Sequence, residues 1–152
     1  MKRLFQGTAI MALAFVFLLA ASLSVGAYYE YADNYEDATY RGIFADGDSI
    51  QVNVQFTLED NTFTDLSFRQ LYYGGIDYLE EEDGTYYELA QQHKEALQYL
   101  DGRSVSEVDD LFNPEDAVEE YAEVDGFTAA TMRANKIISA VRDALNRGPY
   151  SY

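Results

Sequence analysis

The sequence predicts an α+β fold, a short antiparallel β-meander packed against helices, and three observations carry that prediction. From Ile50 to Leu58 the apolar residues Ile50, Val52, Val54, Phe56 and Leu58 alternate with Gln51, Asn53, Gln55 and Thr57. A period of two is the mark of a strand with one buried and one wet face. Toward the C-terminus the period changes, because Ala134, Ile137, Ile138, Val141, Ala144 and Leu145 recur at helical spacing and make one stripe. A second helical stripe, Leu89, His93, Ala96, Leu97 and Leu100, lies between the two. A sheet with one apolar face and helices with one apolar stripe each must bury those surfaces on one another.

The 152 residues are one domain's worth, and 48% apolar content suffices for a modest core. No cysteine is present, which excludes a disulfide framework, a thiolate metal site and a lipid-modified cysteine. Lys2 and Arg3 precede an apolar run from Ala9 to Val25, and Val25-Gly26-Ala27 offers a small-residue cleavage site. Residues 1–27 therefore read as a signal peptide or, if uncut, as an N-terminal membrane anchor. The expected location is extracytoplasmic, secreted or tethered through residues 4–27, with membrane contact through that segment alone. A formal net charge of −17 argues against nucleic acid and anionic lipid as partners, since both require a cationic face.

Residues 28–38 (YYEYADNYEDA) alternate tyrosine with acid without a helical or strand period and read as an acidic linker, its four tyrosines a tether or a set of rings to stack on another surface. The domain is expected over 39–148, with a tail at 149–152. Tyr40 to Phe44 is a short strand, Asp46-Gly47-Asp48 is turn chemistry, the alternating strand follows, and Glu59-Asp60-Asn61 turns the chain again. In the third strand, about Thr62 to Leu71, Phe63 is out of phase with Leu66 and Phe68, which predicts a bulge near Thr64-Asp65. Tyr72-Tyr73-Gly74-Gly75 ends the meander, as a wall against a flat ring or as an ordinary aromatic strand end. Glu80-Glu81-Glu82-Asp83 is a solvated acidic loop without the ligand spacing of a calcium loop. His93, the sole histidine, sits on an apolar stripe and reads as a core residue with a hydrogen-bond partner rather than a proton-transfer group.

Asp101-Gly102 stops the second stripe's helix, and Ser104 with Glu107 spells a capping box for a short helix ending before Asn113-Pro114. Asn113 and Pro114 suit the start of another, running to about Tyr121. The last helix carries Arg142 and Arg147 toward its negative end, and Gly148-Pro149 stops it.

Directly ahead of that helix stands Asp125-Gly126-Phe127-Thr128-Ala129-Ala130-Thr131. Small residues at a helix start leave backbone N–H groups open to an anion, helped by the helix dipole; the same residues also serve as an ordinary cap, with Thr128 or Asp125 as N-cap. The run Asp125-x-x-Thr128-Ala129-Ala130-Thr131, followed by Ile137 to Leu145, resembles the flavinylation motif of the FMN-binding domain family, which includes flavin subunits of sodium-pumping NADH:quinone reductase and of Rnf-type electron-transfer complexes. With the strand-turn-strand run before it, the resemblance spans roughly Thr39 to Leu145.

That resemblance implies an FMN-binding-domain-like fold and FMN attached as a phosphoester to Thr131 by a separate flavin transferase. Asp125, Gly126, Thr128, Ala129 and Ala130 would form the surrounding cofactor-binding turn. It also implies a redox partner protein or membrane electron-transfer complex, and a carrier of electrons rather than a stand-alone enzyme. Ala129 departs from the family glycine, and Met132-Arg133-Ala134 replaces the small hydroxyl residues that commonly follow. Non-covalent FMN and an exported binding or interaction module that keeps the fold without flavin are the alternatives. No nucleophile–base set, P-loop, dinucleotide fingerprint or metal-ligand cluster accompanies the motif.

Overall fold

A computed structural model describes residues 29–113 and 134–151 of the chain. The chain divides into units of residues 1–30 and Tyr31–Tyr152, and the fold below belongs to the second. Four antiparallel strands in sequential order make its sheet: β1 (Ala38–Asp46), β2 (Ile50–Glu59), β3 (Thr62–Tyr73) and β4 (Ile76–Asp77). Helix α1 (Gly84–Gln98), a 3₁₀ helix (Val105–Phe112) and helix α2 (Ala134–Arg147) follow. The expected α+β architecture, a meander packed against helices, is present.

The alternation in β2 settles which face is inside. Val52, Val54, Phe56 and Leu58 are buried, and the residues between them are half-buried on the opposite face. Asp60 and Asn61 both adopt left-handed φ, 52° and 58°, as a two-residue hairpin of the primed type requires. The predicted bulge is there. Thr57 pairs with Thr64 and Gln55 with Ser67, so Asp65 and Leu66 together face Phe56, with Asp65 at φ 53°. A second irregularity was not predicted: Asn53 pairs with Gln70 but Val54 with Phe68, which leaves Arg69 as an extra residue. Each irregularity flips the inward phase, first from Phe63 to Leu66 and Phe68, then to Leu71 and Tyr73. The strand consequently runs two residues past Leu71, and Gly74-Gly75 turns it into β4.

Helix α2 lies across β1 and β2, and α1 lies against β3. All six stripe residues of α2 are buried, together with Ala140. The approach of α2 to β1 is possible only because residue 42 is glycine. A Cβ there would lie 2.0 Å from the Ala140 carbonyl oxygen and 2.4 Å from the Ala144 nitrogen. Behind this contact Tyr40 stacks on Phe56 at 5.6 Å between ring centres, and Phe63 meets Phe56 edge-on at 4.9 Å. Within the 3₁₀ helix Val105, Val108 and Leu111 are buried, a spacing of three that matches three residues per turn. Its capping box is formed, Ser104 N–H donating to Glu107 Oε2 at 2.8 Å.

Parts of both sheet edges are hydrogen-bonded to other segments. On β1 the Ile43 N–H donates to Asp143 Oδ2 at 2.8 Å, and the Thr39 carbonyl accepts from Tyr150 N–H at 2.8 Å. Along β3 the Phe63 backbone exchanges hydrogen bonds with Gly102 and Arg103, Gln98 Nε2 donates to the Leu66 carbonyl, and Tyr78 N–H donates to the Leu71 carbonyl.

Candidate functional site

The motif residues Asp125, Gly126, Thr128, Ala129, Ala130 and Thr131 lie outside the described residues, as do residues 1–27 and the helix expected from Pro114 to Tyr121. Their flanks are described. The 3₁₀ helix ends at Phe112, α2 is described from Ala134, and the two pack against each other. Among the described residues no helix is long and apolar enough to cross a membrane, and no group of three His, Cys, Asp or Glu side chains could hold a metal ion.

Arg142 does more than meet the negative end of its helix. Its Nη2 donates to Asp109 Oδ1 at 2.7 Å and its Nε to the Tyr31 hydroxyl at 3.1 Å, while that hydroxyl donates to Asp109 Oδ1 at 2.5 Å. The three side chains tie the N-terminal segment, the 3₁₀ helix and α2 into one cluster. Burial, and next the hydrogen bond to Asp109, push the Tyr31 hydroxyl well above its ordinary pKa, so it stays protonated. Tyr31 and Tyr35 pack against the core rather than serving as a tether. The segment is also pinned to the β2–β3 turn: Tyr35 N–H donates to Asn61 Oδ1 at 2.7 Å, Asn61 Nδ2 to the Asp33 carbonyl at 3.3 Å, and Asp60 N–H to Asp37 Oδ1 at 2.9 Å. A tyrosine-acid repeat carries no period, so its docking had no sequence signal.

Tyr72 and Tyr73 alternate across the sheet, so they cannot form one wall against a flat ring. Tyr73 is buried, 5.2 Å from Tyr78 and 5.7 Å from His93 between ring centres, and Tyr72 is on the opposite face. His93 is a core residue: it is 2% exposed, and its Nδ1–H donates to the Leu89 carbonyl at 2.7 Å. The tautomer follows from the partner, because a carbonyl oxygen only accepts. At the far end of the sheet an open groove of about 510 Å³ is lined by Asp37, Ala38, Thr39, Thr57, Leu58, Glu59 and Asp60. Its three carboxylates and lack of a cation disfavour an anionic ligand there.

Comparisons of the chain with protein-family models, with curated proteins and with solved structures give no match.

Proposed function

We propose that this protein is an extracytoplasmic flavoprotein that carries electrons through FMN held as a phosphoester on Thr131. The observation that carries this reading is the run Asp125-x-x-Thr128-Ala129-Ala130-Thr131 placed just before the helix whose stripe it precedes in the family it resembles. Support comes from the rigidity of that helix. Seven buried side chains and the Gly42 contact hold α2 on the sheet from Ala134 onward. When bound, the flavin supplies the redox chemistry. The chain's part is to hold it: Thr131 offers the hydroxyl, Thr128 and Asp125 orient the turn, and Gly126, Ala129 and Ala130 keep side chains away from the phosphate. Tyr72 and Tyr73 do not supply the ring pocket.

A second reading, an interaction module without flavin, is favoured by the polar face of the sheet opposite the helices, where Arg41 and Arg69 share Gln55 Oε1 and form no salt bridge among the described residues. In-gel fluorescence after denaturation separates the two, since only covalent flavin survives it. Wild type matured with a flavin transferase should fluoresce and Thr131→Val should not. Ala129→Gly, which restores the family residue, should raise the signal if the methyl slows transfer. A dark wild type and a dark Ala129→Gly would leave non-covalent FMN or the interaction module, and the colour of the native protein, yellow or colourless, separates those two.

A further inference from the structure

Independently of flavin, we infer that the face of the sheet opposite the helices binds an acidic sugar chain, with Arg41 and Arg69 taking the carboxylate. The first observation is charge. In a chain with 27 acidic residues and a formal −17, β1, β2 and β3 carry two arginines, and their acids, Asp46, Glu59 and Asp65, lie at two strand ends and at the first bulge. Alternation and register bring both arginines to the face opposite the helices, at one point. Arg41 Nε donates to Gln55 Oε1 at 2.7 Å, and Arg69 Nη1 donates to the same oxygen at 3.3 Å.

A single neutral oxygen satisfies little of two guanidinium groups, each with five N–H donors and full charge. By contrast, Arg103, Arg142 and Arg147 each pair with a carboxylate, Glu107, Asp109 and Asp143. The Arg41 guanidinium also lies over the Tyr150 ring, 3.7 Å from its centre, so Arg41 is positioned before any anion arrives. Two guanidinium groups on one neutral acceptor form a site for a group that brings negative charge and planar acceptor geometry, as a carboxylate does.

The second observation is what surrounds them. Gln51, Asn53 and Gln70 share the face, and Asn53 Nδ2 donates to Gln70 Oε1 at 2.9 Å. Amides donate and accept at once, as sugar hydroxyls do. Protein partners are disfavoured because the face offers two exposed large apolar residues, Ile43 and Tyr150, and the second already stacks on Arg41, where a protein interface needs an apolar core. A hydroxyl-rich chain bearing carboxylates fits the amide array and the arginine pair together.

The test uses the full chain and trigalacturonic acid at about 0.15 M salt, where repulsion by distant acidic groups is screened beyond roughly 8 Å. In ¹H–¹⁵N spectra the Nε–H signals of Arg41 and Arg69 should shift saturably with trigalacturonate and stay in place with maltotriose, which has the hydroxyls but no carboxylate. Arg41→Gln with Arg69→Gln should weaken binding at least tenfold while the backbone spectrum elsewhere and the thermal midpoint stay as in wild type. Asn53→Leu should weaken it by a smaller factor. No saturable shift in wild type, or unchanged affinity in the double variant, would overturn the assignment. Equal or tighter binding of a triglutamate peptide would overturn the sugar and leave an acidic-peptide site.

Discussion

At the residue scale the Tyr31, Asp109 and Arg142 cluster is the most consequential group in the described structure, because it joins three segments far apart in sequence. Tyr31→Phe removes one hydroxyl and two hydrogen bonds, one to a carboxylate, and should lower stability by about 1–3 kcal/mol in urea denaturation. The sign of its pH dependence follows from the raised hydroxyl. Since Tyr31 ionises less readily folded than unfolded, its contribution is intact below the ordinary tyrosine pKa near 10 and is lost as pH rises beyond it. Thermal midpoints should therefore fall above pH 10, and Tyr31→Phe should make that fall shallower. A slope unchanged by the substitution would assign the alkaline loss to other groups, such as Tyr40, whose hydroxyl burial also raises. None of this was legible in the sequence: Arg142 could be placed on a helix, but its partners lie 33 and 111 positions away.

At the scale of elements, period and phase were the legible quantities. They located β2, both helical stripes and the bulge at Asp65, because each of these imposes a spacing on apolar residues. What lacked a period was missed. The two residues of β4 cannot show alternation; the short helix after Ser104 was legible through its capping box, but its 3₁₀ character, with Val105, Val108 and Leu111 repeating every three, was not. The second phase change in β3 was legible in Phe68, Leu71 and Tyr73 but was hidden by ending the strand at Leu71. Gly42 gave no sign of its role, since a glycine in a strand has several uses. Gly42→Ala should cost about 3 kcal/mol or more, because the methyl meets helix backbone rather than a movable side chain. Ala144→Gly should fail to rescue it, as the closest atoms, the Ala140 oxygen and the Ala144 nitrogen, remain. Asn61→Gly keeps the left-handed turn while releasing Tyr35 and Asp33, and should cost about 1–2 kcal/mol and open residues 31–37 to proteolysis.

For the whole molecule, charge dominates: a formal −17 across 152 residues makes self-repulsion the main salt-dependent term, with three salt bridges among the described residues to oppose it. Thermal midpoints should rise as sodium chloride increases from about 0.01 to 0.5 M, through screening. A fall would mean that attractive pairs outweigh repulsion. Of the candidate cofactor site, the sequence offers the motif and the helix behind it, and the described structure offers the helix and its seat on the sheet. The claim that joins them is chemical and local. Trypsin cuts after Arg103 and Arg133 and releases residues 104–133 as one peptide holding both candidate hydroxyls, Thr128 and Thr131. Fragmentation mass spectrometry of that peptide, from protein matured with a flavin transferase, should place one FMN phosphoester on Thr131. An unmodified peptide, or flavin on Thr128, would contradict the proposed attachment.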